Sequence, residues 1–179
     1  MTITEPTDTQ PQSVIVPSFE VETDRKLAII CSKGNLDMAY PGLVLANAAL
    51  GEGIQVDLFF TFWGFDMITK SRMNDLHFSP AGNGAMHLPV GNVHLPQSLA
   101  PLMTPLATRM MKKQIADLGI PEVPDFLDQI VAAGGQLWAC RMSADMMKLH
   151  EEDLRDDVIG IISAADFIEM TEGAQLLFI

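Results

Sequence analysis

The sequence predicts a single doubly wound α/β domain, built on a mostly parallel sheet of five strands. Three observations carry this. Short apolar runs recur along the chain (KLAIIC, IQVDLFFTF, QLWAC, VIGII, QLLFI), as strands buried on both faces of a parallel sheet require. Segments with helical spacing lie between them. Glycines stand where those helices should stop, at Gly51 and Gly53, Gly119, Gly134 with Gly135, and Gly173.

The elements follow in order. Residues 1–24 hold Pro6, Pro11 and Pro17 beside Glu5, Asp8, Glu20, Glu22 and Asp24, and read as a disordered acidic tail ahead of a domain at 25–179. Lys26 to Cys31 is the first strand, and Ser32-Lys33-Gly34-Asn35 turns the chain. Leu36 to Leu50 is a helix capped by Asn35 or Asp37, with Pro41 tolerated near its first turn. Ile54 to Phe62 is the second strand, and Trp63 to Lys70 adds one or two helical turns. Ser71 to Thr104, with four prolines and three histidines, reads as a long loop of the kind that serves function or an interface. Helices follow at Pro105 to Leu118 and Pro124 to Ala133. Gln136 to Cys140 is the third strand, and Ser143 is read as the cap of a helix from Ala144 to about His150. The fourth strand lies within Asp156 to Ile162, Ser163 caps Ala164 to Glu172, and Gln175 to Ile179 is the fifth.

Composition narrows the function. The chain has 179 residues, 48% of them hydrophobic, enough for one sizeable core. Its formal net charge of −12 repels phosphate backbones, so nucleic acid is not an expected partner. The polar start is not leader-like, which makes the cytoplasm the expected location. Residues 85–111 are sparse in charge but broken by Pro89, Pro96, Pro101 and Pro105. That segment is a candidate for contact with a membrane or partner; membrane contact is not predicted.

Two cysteines, Cys31 and Cys140, both fall at predicted carboxyl ends of strands, where the binding edge of such a sheet lies. With strand order 2-1-3-4-5 they would be neighbours flanking the switch point. A helix follows Cys140 closely, its N-terminal amides favour a thiolate, and Arg141 adds positive charge. The alternative for Cys140 is a small buried hydrophobe, and for Cys31, inside an apolar run, that reading leads. The turn at Ser32 to Asp37 carries no phosphate-binding glycine pattern. His77, His87, His94 and His150 fit no metal-ligand spacing. The twelve methionines suit an adaptable core or a subunit contact. Glu151, Glu152, Asp153, Asp156 and Asp157 read as a solvated acidic face.

Three blocks together, SKGNLDMAYPGLVLANAALGEG, VDLFFTFWGFDMITK and LWACRMSADMMKL, resemble the DsrE/DsrF-like sulfur-relay family, and most of all its single-chain DsrE-type sulfur carriers, which are often auto-labelled "peroxiredoxin family". The resemblance runs from about Lys26 to Ile179. It implies a flavodoxin-like sheet, homo-oligomers, no cofactor, and a cysteine that carries sulfane sulfur as a persulfide between partners such as a rhodanese and a TusA-type protein. The cysteine in the matching block is Cys140. Cys31 is the candidate for resolving the persulfide or bridging to Cys140. Lys33, Asn35, Arg141 and Ser143 are candidates for surrounding the site. Any enzymatic activity would be of sulfurtransferase type. Two other readings remain: a non-catalytic assembly module of a sulfur-oxidising complex, and a metal-binding protein using the loop histidines and methionines.

Overall fold

The continuous apolar runs become the strands of one five-stranded parallel sheet, described here from a computed structural model that covers residues 23–79 and 100–179. The strands are β1 (Lys26–Cys31), β2 (Gln55–Phe60), β3 (Gln136–Cys140), β4 (Val158–Ile162) and β5 (Gln175–Phe178). The helices are α1 (Leu36–Gly51), α2 (Ala100–Asp117), α3 (Val123–Ala132), α4 (Arg141–Met147) and α5 (Ala164–Met170), and a 3-10 turn spans Phe62–Met67. The expected acidic tail lies outside the described residues, as does most of the 71–104 loop with His87 and His94. The last part of that loop is instead helix, because α2 begins at Ala100 and carries Pro105 inside it.

The strand order is β4-β3-β2-β1-β5, all parallel. This corrects the expected 2-1-3-4-5 order. β1 lies beside β2 and β5, and β3 lies beside β2 and β4, so β2 separates the two cysteine-bearing strands.

Register assigns the two faces. Ile29, Leu58 and Leu137 form one cross-sheet row, and Cys31, Phe60 and Ala139 another. These rows face α1 and α3: Gly42 of α1 approaches both Cys31 and Ile29, and α1 packs on α3. Nearly every side chain in them is fully buried, which puts the centre of the core here. The opposite face carries Ile30, Phe59 and Trp138, and α5 covers its middle by stacking Phe167 on Phe59 at 4.5 Å. Buried Asp57 on that face accepts a hydrogen bond from Trp138 Nε1, which meets the need of a polar group taken out of water. At the β5 edge this face stays open, and Leu176 and Phe178 are exposed beside Ala28 and Ile30.

The acidic run is more than a solvated face. Asp157 and Asp128 hold the buried Arg155 guanidinium, which also donates to the Pro124 carbonyl and so ties the entry of β4 to α3. Burial works against the arginine's charge, but hydrogen bonds from Asp157 and Asp128 outweigh it and hold its pKa above the usual value.

Candidate functional site

Three segments meet at the carboxyl edge of the central strands: 32–35 after β1, 61–64 after β2 and 140–143 after β3. Glycines let the first two interlock. A Cβ on Gly64 would lie 2.1 Å from the Cys31 carbonyl oxygen, and one on Gly34 would lie 2.4 Å from the Trp63 carbonyl oxygen. Thr61 N donates to the Cys31 carbonyl at 3.0 Å, which carries the β1–β2 ladder one step past the strands.

Cys140 ends β3 and is at once the N-cap of α4, with extended φ −75° and ψ 121°. The helix therefore starts at Arg141, three residues earlier than expected, and Ser143 is not its cap. Ser143 is fully buried in the first turn, where its hydroxyl accepts from Phe62 N at 2.8 Å and bonds Thr61 Oγ1 at 3.1 Å. Those bonds join α4 to the end of β2. Phe62, which takes part in them, has φ +46°, a left-handed conformation that costs a non-glycine residue roughly 1–2 kcal/mol.

The register puts Cys31 and Cys140 on opposite faces. Cys31 is level with Phe60 and Ala139, and Cys140 lies one residue beyond Ala139, so the pleat turns it the other way. A full strand lies between them, a lateral gap of about 10 Å. A disulfide needs Cα atoms within about 7 Å, so the expected Cys31–Cys140 bridge does not form in this fold. Cys31 is 4% exposed against Gly42 of α1, and burial pushes its thiol up from about 9 to about 12. Cys140 is also only 4% exposed, but the residues around it are open: Trp63 is 61% exposed, and Phe62, Met142 and Met146 are exposed as well.

The other expected residues divide. Arg141 is exposed and donates to the Ile161 carbonyl. Its charge also helps Ser163 hold the Asp166 carboxyl below the usual range, the hydrogen bonds from Ser163 being the larger cause. Lys33 and Asn35 stand at the end of β1 and make no hydrogen bond or ion pair with the 140–143 segment. Asn35 serves α1 through its backbone carbonyl, which accepts from Met38 and Ala39, and not through its side chain. Thr61 was missed. It sits inside the apolar FFTF run and reads as a strand residue, yet it is one rung past the Phe60–Ala139 pair and so level with Cys140. Among the described residues no three His, Cys, Asp or Glu side chains gather as metal ligands; His77 is exposed beside Asp75. Nor is any described helix long and apolar enough to cross a membrane.

Comparison with known proteins now places this architecture. The pattern of the DsrE/DsrF/DrsH-like family matches residues 23–178. The chain belongs to that family. Within it, the chain is 32% identical over 158 residues to "Sulfur carrier protein DsrE2" of Allochromatium vinosum, covering 87% of this chain and 98% of that protein. It is 25% identical over 164 residues to "Uncharacterized protein YrkE" of Bacillus subtilis, covering 88% and 99%. Among solved structures, the Methanobacterium thermoautotrophicum protein MTH1491, of unknown function, superposes with TM-score 0.53 at 9% identity, over 87% of this chain and 100% of that one. The last comparison bears on the fold alone. It agrees with the α/β class that the sequence predicts for this DsrE/DsrF/DrsH-like chain.

Proposed function

We propose that the protein is a sulfur carrier that accepts sulfane sulfur on Cys140 and passes it to a partner protein. The observation that carries this reading is the end-to-end similarity to a protein named as a sulfur carrier. The chemistry is an exchange with no net redox change. The Cys140 thiolate attacks the outer sulfur of a donor persulfide, the S–S bond of the donor breaks, and the donor leaves as a thiol with the proton that Cys140 gave up. Cys140 then holds the sulfur as Cys–S–SH. A partner thiolate attacks that outer sulfur and releases the Cys140 thiolate. A rhodanese-type donor and a TusA-type acceptor fit these two steps.

The N-cap position suits the task. A sulfur anion there faces the first-turn amides of α4, which the helix itself leaves unbonded. Phe62, Trp63, Met142 and Met146 offer an apolar surface on which a partner's loop can press while the thiol is reached. Arg141 flanks that surface with positive charge. Cys31 stays outside the transfer path, on the other face of the sheet.

We also assign self-association to the open face beside β5. Phe178 is 71% exposed and Leu176 is exposed next to it, an apolar strip that a second copy of this chain would cover. Light scattering should give a multiple of the 19.6 kDa chain mass, and Phe178→Glu should lower it. A monomeric wild type would remove this assignment.

Intact-mass spectrometry after treatment with polysulfide, or with a rhodanese and thiosulfate, tests the carrier. Wild type and Cys31→Ala should each gain about 32 Da per sulfur, reversibly with reductant, and Cys140→Ser should gain none. A Cys140→Ser protein that still loads sulfur would overturn the assignment.

A further inference from the structure

Cys140 is buried in an edge whose surroundings are exposed, and something must hold it shut. The first turn of α4, which begins directly after Cys140, is fastened to the end of β2 by one hydroxyl. Ser143 Oγ receives Phe62 N at 2.8 Å and pairs with Thr61 Oγ1 at 3.1 Å, and both hydroxyl-bearing residues are buried. The same bond holds Phe62 at φ +46°, where a residue with a side chain is strained. One buried fastening thus works against one strained residue at the same point, and the thiol is the neighbour of both. Thr61 is level with Cys140 across the sheet.

We propose that the Thr61–Ser143 hydroxyl pair is a latch that keeps Cys140 closed, and that the strain at Phe62 is stored to open it. When Phe62 N leaves Ser143, Phe62 relaxes to negative φ, the first turn of α4 loosens from β2, and Cys140 becomes accessible. Thr61 and Ser143 are positioning residues: they act through the placement of Cys140 and touch no sulfur donor. This rests on Cys140 being the reactive thiol, but it concerns access to that thiol and not what is loaded on it.

The two cysteines supply their own control. Local opening at α4 exposes Cys140 alone, whereas loss of the fold exposes Cys31 as well. The experiment is alkylation of the full chain by iodoacetamide, followed cysteine by cysteine by peptide mass spectrometry. Ser143→Ala removes the acceptor for Phe62 N, and Thr61→Val removes the second hydroxyl at equal size. Each should speed Cys140 labelling by about tenfold, the size of one buried hydrogen bond, with Cys31 labelling unchanged. Thr61→Ser, which keeps the hydroxyl, should label at close to the wild-type rate.

Phe62→Gly should act in the opposite direction. It removes the strain without touching the fastening, so the closed form gains and Cys140 labelling slows severalfold. A loop that served only to hold the structure together would speed labelling in this variant, as in the others. Unchanged Cys140 labelling in both Ser143→Ala and Thr61→Val, or faster labelling in Phe62→Gly, would overturn the latch. So would parallel rises at Cys31 and Cys140, which mean general unfolding. Sulfur loading is read separately. If Cys140 never gains sulfur yet its alkylation follows this pattern, the carrier reading fails and the latch stands. If sulfur loads but alkylation ignores the four variants, the reverse holds.

Discussion

Cys31 and Cys140 end two strands of one sheet at the same edge, and both are 4% exposed, yet they sit in different worlds. Cys31 completes a row that is sealed by α1, with the carbonyl of its own residue pressed against Gly64. Cys140 lies one residue further along its strand, so it faces the other way and doubles as a helix cap. The difference teaches that fractional exposure alone says little about a thiol. What covers Cys31 is the core, which opens only with the whole fold. What covers Cys140 is a short helix of seven residues with exposed methionines, attached to β2 through Ser143.

The largest test of that contrast is reactivity at about pH 8 in the native protein. With its pKa near 12, Cys31 holds about a thousandfold less thiolate than an ordinary thiol near 9, and it is shut in as well. Iodoacetamide should modify Cys140 long before Cys31, and Cys31 only as fast as the protein unfolds. Equal labelling of the two would break the comparison.

Base titration comes next. Folding holds Cys31 neutral, so its folded pKa lies above its unfolded one. The stability tied to this is fully present below about pH 9 and is lost as pH rises toward 12. The loss amounts to as much as about 4 kcal/mol from a shift of some three units. Urea unfolding between pH 8 and 11 should show wild type weakening more steeply than Cys31→Ala, with Cys140→Ala following wild type. A Cys31→Ala curve parallel to wild type would mean that the thiol is not sealed.

A smaller effect separates the two surroundings by packing. Gly64→Ala drives a methyl against the Cys31 carbonyl and should cost about 3 kcal/mol, seen as a lower urea midpoint. Met142→Ala, beside Cys140 but exposed, should stay within about 0.5 kcal/mol of wild type. Similar losses in both would show that the Cys140 side is as tightly built as the Cys31 side.

Local pattern made much of the fold legible. β1 and β3 fall on their apolar runs to the residue, and Ser163 caps α5 by accepting from Asp166 N, as its position before the helix predicts. What local pattern cannot carry is which strand lies next to which. Every strand here is an apolar run with the same partners available to it, so the order β4-β3-β2-β1-β5 left no mark in any one segment, and the supposed closeness of the two thiols went with it. The site was legible at Cys140 and Arg141 but not around them. Ser143 looks like a cap because serine usually is one. The actual cap is a cysteine, a residue with no such habit, which displaced the helix by three positions. Thr61 is hidden for a related reason: threonine is at home in strands, and its hydroxyl bond is to a residue 82 positions away.

The pairing of β5 with β1 has a consequence in time. Ser32 donates to the Ile179 carbonyl across 147 residues of chain, so one side of β1 waits for the last strand to be made. At about 5–20 residues per second, the ribosome needs roughly 7–30 s to deliver it. For that interval the nascent chain carries a hydrophobic strand with an unpaired edge, the species that trigger-type holding factors exist to shield. Synonymous codons that slow translation between β4 and β5 should therefore lower the soluble yield of a protein whose finished form they do not change.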